Sequence, residues 1–146
     1  MIRISGFFKN DAGVINAHLI SEEMDIDETV EFLVDTGASR TTLLDKDAIC
    51  LGIEYEKLRR VEDLSGIGGS VETYVLDDTT LLFRESTPIK MPVFVIKHPL
   101  VTMDKEERIR ILRFPSILGR DVINRFRMIF DRAEGELLLT KEEKEG

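Results

Sequence analysis

The sequence predicts a mainly β fold with one or two short helices. Its 146 residues suit a single domain, which we place at residues 1–140, with a charged tail at 141–146. Short apolar runs separated by turn-forming residues are typical of strands. In one such run Ile15, Ala17 and Leu19 face one way while their neighbours face the other. We expect strands at 2–8, 13–20, 29–34, 41–44, 71–76, 79–84 and 90–97, with the acidic residues 21–28 as a loop.

Three segments have helical patterns. Residues 45–51 end at Gly52, a common residue just after a helix. Asp104 and Glu107 have the spacing of a capping box, so a short helix is expected at 104–112, ending before Pro115. Apolar residues at helical spacing predict a third helix over 120–130: Val122, Ile123, Phe126 and Ile129. A hairpin is also expected at 128–140, with its turn at 131–135 between two short strands.

Composition excludes several classes of partner. The formal net charge of −8 disfavours nucleic acid and anionic membranes, which both require basic patches. No apolar run approaches the roughly 20 residues of a membrane helix. Cys50, expected to be a buried and inert thiol, is the single cysteine, so an intrachain disulfide is impossible and a cytoplasmic location is expected. His18 and His98 lie in no cluster with metal-ligand spacing, and neither a metal nor another cofactor is expected.

Asp35 is the main candidate for chemistry. It follows the apolar run 29–34 directly, which places a carboxylate at the end of a buried strand. The next residues are small, and Thr36 and Ser39 can donate hydrogen bonds. On these residues alone, an aspartate that forms an ordinary turn is an equally good interpretation.

Two further elements favour a catalytic role. A glycine-rich segment, Gly66-Ile67-Gly68-Gly69, follows about thirty residues after Asp35, and Ile117-Leu118-Gly119-Arg120 opens a helix near the C-terminus. Together with Phe32-Leu33-Val34-Asp35-Thr36-Gly37-Ala38-Ser39, these elements resemble, in order and spacing, the retroviral-type (retropepsin-like) aspartic proteases. The resemblance implies the acid protease fold, a closed β-barrel half with a flap hairpin and one helix in the C-terminal region.

The resemblance also implies a reaction. Aspartic proteases hydrolyse peptide bonds with two facing carboxylates, one acting as general base on a water and the other as general acid. This chain has a single Asp-Thr-Gly sequence, so two copies would each supply Asp35 across a homodimer. The catalytic residues implied are Asp35, Thr36 and Gly37. The implied contacts to a polypeptide substrate come from Gly37, Ala38, Ser39, Gly66, Ile67, Gly68 and Gly69.

The sequence also departs from the viral pattern. Ser39 stands where viral members often have an aspartate that pairs with the arginine of the helix motif, so the partner of Arg120 is open. Residues 98–114 exceed the matching viral segment in length, and their role is open. The alternative function is a retropepsin-like module that binds peptides or dimerises with little turnover.

Overall fold

The computed structural model describes residues 1–61, 71–84 and 88–143, and these residues confirm the prediction of a mainly β chain. The strands, numbered in chain order, are β1 Ile2–Ser5, β2 Phe7–Lys9, β3 Ala12–Ser21, β4 Ile26–Val34, β5 Thr42–Leu43, β6 Arg59–Val61, β7 Glu72–Leu76, β8 Thr80–Phe83, β9 Ile89–Lys90, β10 Val93–Lys97, β11 Ser116–Leu118, β12 Arg127–Asp131 and β13 Glu136–Lys141. The α-helices are α1 Asp45–Leu51, α2 Lys105–Ile111 and α3 Arg120–Ile123, and short 3₁₀ turns occupy Tyr55–Lys57 and Leu100–Thr102.

Most strands join one large sheet. Its hydrogen-bonded order is β6-β7-β10-β5-β11-β4-β3-β8-β9, and β2 pairs with β3 beside it. The long β3–β4 hairpin is the centre of this arrangement, because its alternate apolar side chains, including Ile15, Leu19 and Phe32, are almost fully buried. Burial of apolar area on this scale is the main force that holds the sheet in place.

A smaller sheet joins the N-terminal and C-terminal strands of the chain. Its order is β1-β13-β12, with both pairings antiparallel. Ile4, Leu137 and Leu139 of this sheet belong to the same apolar core as the long hairpin. The N-terminal strand is therefore fixed by the C-terminal one through side-chain packing as well as hydrogen bonds.

Two of the predicted helices form where local signals place them. Gly52 ends α1 in the left-handed conformation, with φ of 68°, and its N–H donates to the carbonyl oxygen of Ile49. The side chain of Asp104 accepts a hydrogen bond of 2.9 Å from the Glu107 N–H, so the predicted capping interaction is present at the start of α2. The expectation that Cys50 is buried is wrong, because this thiol lies on the exposed face of α1.

The prediction of a helix over 120–130 is correct only at its start. The helix begins at Arg120 but ends at Ile123, and residues 127–131 form β12, the first strand of the hairpin predicted at 128–140, which is confirmed. The pairing of β12 with β13 outweighs the helical spacing of the apolar residues. The turn between these two strands ends at Gly135, whose φ of 69° suits glycine. Phe130 then packs edge-on against Phe8, with ring centroids 5.1 Å apart.

The predicted acidic loop is also shorter than expected. The strand pairing of the long hairpin continues to Ser21 and Ile26, which leaves only residues 22–25 in the turn. Asp25 takes a positive φ of 52°, a conformation that aspartate tolerates better than most residues. None of the helices in the described residues has the length and apolar character needed to cross a membrane.

Candidate active site

Asp35 lies where β4, an interior strand of the large sheet, ends. β4 pairs in parallel with β11, with Val34 opposite Leu118, and the Asp35 N–H continues this pairing by donating to the Leu118 carbonyl oxygen at 3.1 Å. The side chain is half-buried. The position of the Asp35 backbone is thus fixed by the hydrogen bonds of the sheet.

The Asp35 carboxylate is oriented by its own loop. The Gly37 N–H donates a hydrogen bond of 2.9 Å to Asp35 Oδ1, a local turn that aspartate commonly forms. The Ala38 N–H donates to the Asp35 carbonyl oxygen at 3.2 Å and closes the same turn. Among the described residues no donor reaches Oδ2, so one carboxylate oxygen is held and the other is available.

Arg120 holds the outer part of this loop. Its Nη1 donates to the Thr36 carbonyl oxygen at 2.9 Å, and its backbone N–H donates to the Ala38 carbonyl oxygen, also at 2.9 Å. Thr36, Gly37 and Ser39 are nevertheless exposed, and Ala38 is half-buried. The partner of Arg120 that the sequence left open is therefore a backbone carbonyl of the loop.

The inner end of the loop is held by Thr41, Asp121 and Gly119. The Asp121 carboxylate accepts from the Thr41 N–H at 2.9 and 3.0 Å and from Thr41 Oγ1 at 2.7 Å. The Gly119 N–H donates to Thr41 Oγ1 at 3.1 Å. Gly119 also packs so closely on Arg40 that a Cβ atom built there would lie 2.6–2.9 Å from its backbone atoms.

The sequence-predicted site residues fall into two groups. Asp35, Thr36, Gly37, Ala38 and Ser39 lie together in the loop that follows β4. The other four, Gly66, Ile67, Gly68 and Gly69, lie outside the described residues. The strands on either side of that segment, β6 and β7, pair antiparallel with Val61 opposite Thr73, as the two legs of a hairpin would.

The family of the chain follows from its match to a known sequence profile. A family described as "Aspartyl protease" matches residues 23–122, which include the Asp35 loop and the helix motif at Gly119. The chain belongs to the aspartyl protease family. No curated protein sequence matches this aspartyl protease family member.

Solved structures show the fold of this aspartyl protease family member. A retropepsin-like aspartic protease from Rickettsia conorii is 22% identical, with a TM-score of 0.56, over 94% of this chain and 89% of that one. The EIAV protease, solved with the inhibitor HBY-793, is 21% identical, with a TM-score of 0.51, over 80% of this chain and 88% of that one. The predicted retropepsin-like acid protease fold is confirmed.

Sequence reasoning missed Thr41 and Asp121 of the aspartyl protease site. They meet across 80 residues of sequence, and neither belongs to a local motif that indicates a contact. The only available signal was the position of Asp121 beside Arg120 at the start of a helix. That position fixes neither the direction of the carboxylate nor its partner.

A separate cavity of about 470 Å³ lies beside α1, and no residue of the 35–41 loop lines it. Asp45, buried in its wall, accepts hydrogen bonds from the His98 N–H at 2.8 Å and His98 Nδ1 at 2.5 Å. Burial, with a smaller effect of the nearby Asp45 carboxylate, raises the pKa of Tyr55 to about 12.

The described residues contain no cluster of three or more histidine, cysteine, aspartate or glutamate side chains that would hold a metal ion.

Proposed function

We propose that this protein is an aspartic endopeptidase that acts as a symmetric homodimer, with Asp35 of each copy forming the catalytic pair. One observation carries the proposal: Asp35 stands at a hydrogen-bonded strand end with one carboxylate oxygen held by the Gly37 N–H and the other available. Membership in the aspartyl protease family supports peptide hydrolysis. The single Asp-Thr-Gly sequence in the chain supports a dimer, because the reaction requires two carboxylates.

The proposed reaction uses the two Asp35 carboxylates in different protonation states. Like charges about 3 Å apart do not both ionise, so the pair shares one proton, as is known for aspartic proteases as a class. The ionised carboxylate takes a proton from water as the water attacks the peptide carbonyl carbon. The protonated carboxylate stabilises the developing oxyanion and then supplies a proton to the leaving nitrogen.

The remaining loop residues have proposed roles in binding. The exposed Thr36 is suited to a hydrogen bond with the other copy, which would hold the two loops together. Gly37, Ala38 and Ser39 would contact an extended polypeptide through its backbone, as an added strand does. We propose that residues 66–69, with Ile67 at the tip, form a flap that closes over the substrate and excludes water.

We also propose that the enzyme is cytoplasmic. The single cysteine supports this, since secreted domains of this size commonly carry disulfides. Localisation of a tagged chain in fractionated cells tests it, and recovery from the extracytoplasmic fraction would refute it.

The test is cleavage of an unfolded protein by the wild-type chain and Asp35→Asn, read by mass spectrometry from acidic to neutral pH. If the two Asp35 carboxylates form the catalytic pair, we expect cuts by the wild-type chain only. These cuts should be strongest at acidic pH, where one carboxylate is protonated. A statine-type inhibitor, whose hydroxyl mimics the tetrahedral intermediate, should abolish them. Asp25→Asn is the matched control, because it makes the same change in the turn at the far end of β4 and should leave the cuts unchanged.

Light scattering on the same samples completes the design. We expect both variants to be dimeric, since the Asp35→Asn change preserves the size of the side chain. Cuts that persist in Asp35→Asn would refute the dyad. A stable dimer that makes no cuts in any unfolded substrate would instead support a peptide-binding or dimerisation module.

A further inference from the structure

Residues 99–114, which lie between β10 and β11, form a segment that we call the arm. Both of its ends are fixed to the first turn of α1. His98 is bound by Asp45 as described above, and Ser116 Oγ donates to Asp47 Oδ2 at 2.5 Å. Between these attachments no residue of the arm is buried, although it includes a 3₁₀ turn and all of α2.

The arm exposes apolar side chains without covering them. Val101 is 94% exposed, Ile109 41% and Phe114 47%. They are three of the eight exposed large apolar side chains in the described residues, although the segment has only 16 residues. The 99–114 arm therefore contributes little to the core and is suited to contact something outside the chain.

The second half of the arm is also basic, on a chain whose net charge is −8. Arg108, Arg110 and Arg113 are exposed, and none of their guanidinium groups has a hydrogen bond or ion pair within the described residues. Basic residues near the C-terminal end of a helix are favoured by its dipole, which accounts for the order of the charges along α2. The dipole does not account for the exposed Phe114, which lies three residues beyond the end of α2.

The arm meets the sheet at the end of β11 that lies away from Asp35, because β11 runs parallel to β4 and its last residue, Leu118, is opposite Val34. At one end Ser116 pairs with Phe32, three residues before Asp35, which corresponds to about 10 Å along the strand. At the other end Lys97 pairs with Glu72, the first described residue of the β7 leg that leads from residues 62–70. The arm thus connects β10, which pairs with β7, to β11, which leads to the Asp35 loop.

We propose that the 99–114 arm is a docking surface for polypeptide substrates that carry acidic and apolar residues outside the cleaved bond. This inference rests on the proposed function and names the class of substrate. The free guanidinium groups match carboxylates, and the exposed Val101, Ile109 and Phe114 match apolar side chains. The acidic residues of the arm, Asp104, Glu106 and Glu107, all precede its three arginines, so the basic second half is the part that matches carboxylates of a substrate.

The test measures binding without cleavage, in the Asp35→Asn background. The probe is a fluorescein-labelled peptide of glutamate, leucine and phenylalanine, compared with a peptide in which lysine replaces glutamate. The variant is Arg108→Glu/Arg110→Glu/Arg113→Glu, and the matched control is Lys46→Glu/Lys90→Glu/Arg127→Glu, which reverses as many exposed charges outside the arm. Fluorescence anisotropy gives the affinity, and light scattering gives the oligomeric state.

We expect the arm variant to bind the acidic peptide about tenfold more weakly than the control, an effect that high salt reduces. Phe114→Ser should weaken binding of both peptides. Equal affinities of the arm and control variants would overturn the inference. Conversion of a dimer to a monomer by the arm variant alone would also overturn it, because the arm would then serve the second copy. A further outcome separates the two proposals. If the wild-type chain cleaves no substrate, and the arm variant still binds the acidic peptide more weakly than the control, the proposed function is refuted and the docking surface is supported.

Discussion

Replacement of Gly119 by alanine tests whether the close contact behind the Asp35 loop is needed for activity. A Cβ at residue 119 would lie 2.6 Å from the carbonyl carbon, 2.8 Å from the oxygen and 2.9 Å from the nitrogen of Arg40. Carbon atoms normally approach no closer than about 3.5 Å, so the two segments have to separate by nearly 1 Å. Backbone atoms cannot rotate out of the way as the end of a side chain can.

The cost follows from these contacts. Overpacking typically costs about 1–3 kcal/mol, and the upper end applies where the obstacle is backbone. Separation also lengthens the bond from the Gly119 N–H to Thr41 Oγ1, which is worth about 1 kcal/mol. We expect the free energy of unfolding to fall by about 3–4 kcal/mol. Because a displacement of about 1 Å near the chemistry can cost a hundredfold in rate, kcat should fall by about that factor.

Urea denaturation gives the stability, and cleavage of an unfolded protein at a temperature where the variant is folded gives kcat. Gly52→Ala is the matched control. It makes the same change at a residue with φ of 68° and no neighbour within 4 Å, so it should cost about 1 kcal/mol and leave kcat unchanged. A Gly119→Ala variant with wild-type kcat and an unchanged urea midpoint would refute the reasoning.

Three further predictions concern the polar contacts. Asp121→Asn should lower the free energy of unfolding by about 1–3 kcal/mol, because the new NH2 group would face the Thr41 N–H, donor against donor, and the remaining oxygen loses the negative charge that strengthens its hydrogen bonds; an unchanged urea midpoint would contradict this. Asp45→Asn should cost about as much, since it weakens both bonds from His98; a shift in the same midpoint checks it. Stability should fall by about 1–2 kcal/mol from pH 10 to 12, where unfolded Tyr55 loses its proton before folded Tyr55 does, and Tyr55→Phe should lack this loss.

The helices show which parts of the fold local sequence determines. α1 and α2 form as predicted, because a glycine after one and an aspartate before the other supply their terminal hydrogen bonds within a few residues. The helix expected to reach Phe130 fails for the opposite reason. The strand that replaces its second half depends on pairing with residues 136–141, and apolar spacing in the segment itself does not report such pairing.

The candidate site shows the same distinction between local and long-range contacts. The turn from Asp35 to Gly37 is local, and its composition pointed to it directly. The hydrogen bonds of Arg120 and Asp121 to the loop join residues far apart in sequence, so neither acceptor was predictable from one sequence. The family resemblance supplied the order of the motifs, but Ser39 removed the carboxylate that would have indicated a partner for Arg120.

The long sequence separation of these contacts has a consequence for how the enzyme matures. Thr41 is hydrogen-bonded to Asp121, 80 positions later in the chain, and Thr36 to Arg120, 84 positions later. Both contacts therefore require the closure of a very long loop. Contacts of this separation form late in folding. Because the chain is synthesised from its N-terminus, the Asp35 loop leaves the ribosome well before α3 does. A nascent or truncated chain that lacks residues 119–121 can therefore form the local turn from Asp35 to Gly37 but not the hydrogen bonds that hold the rest of the loop, and we expect such a chain to be inactive.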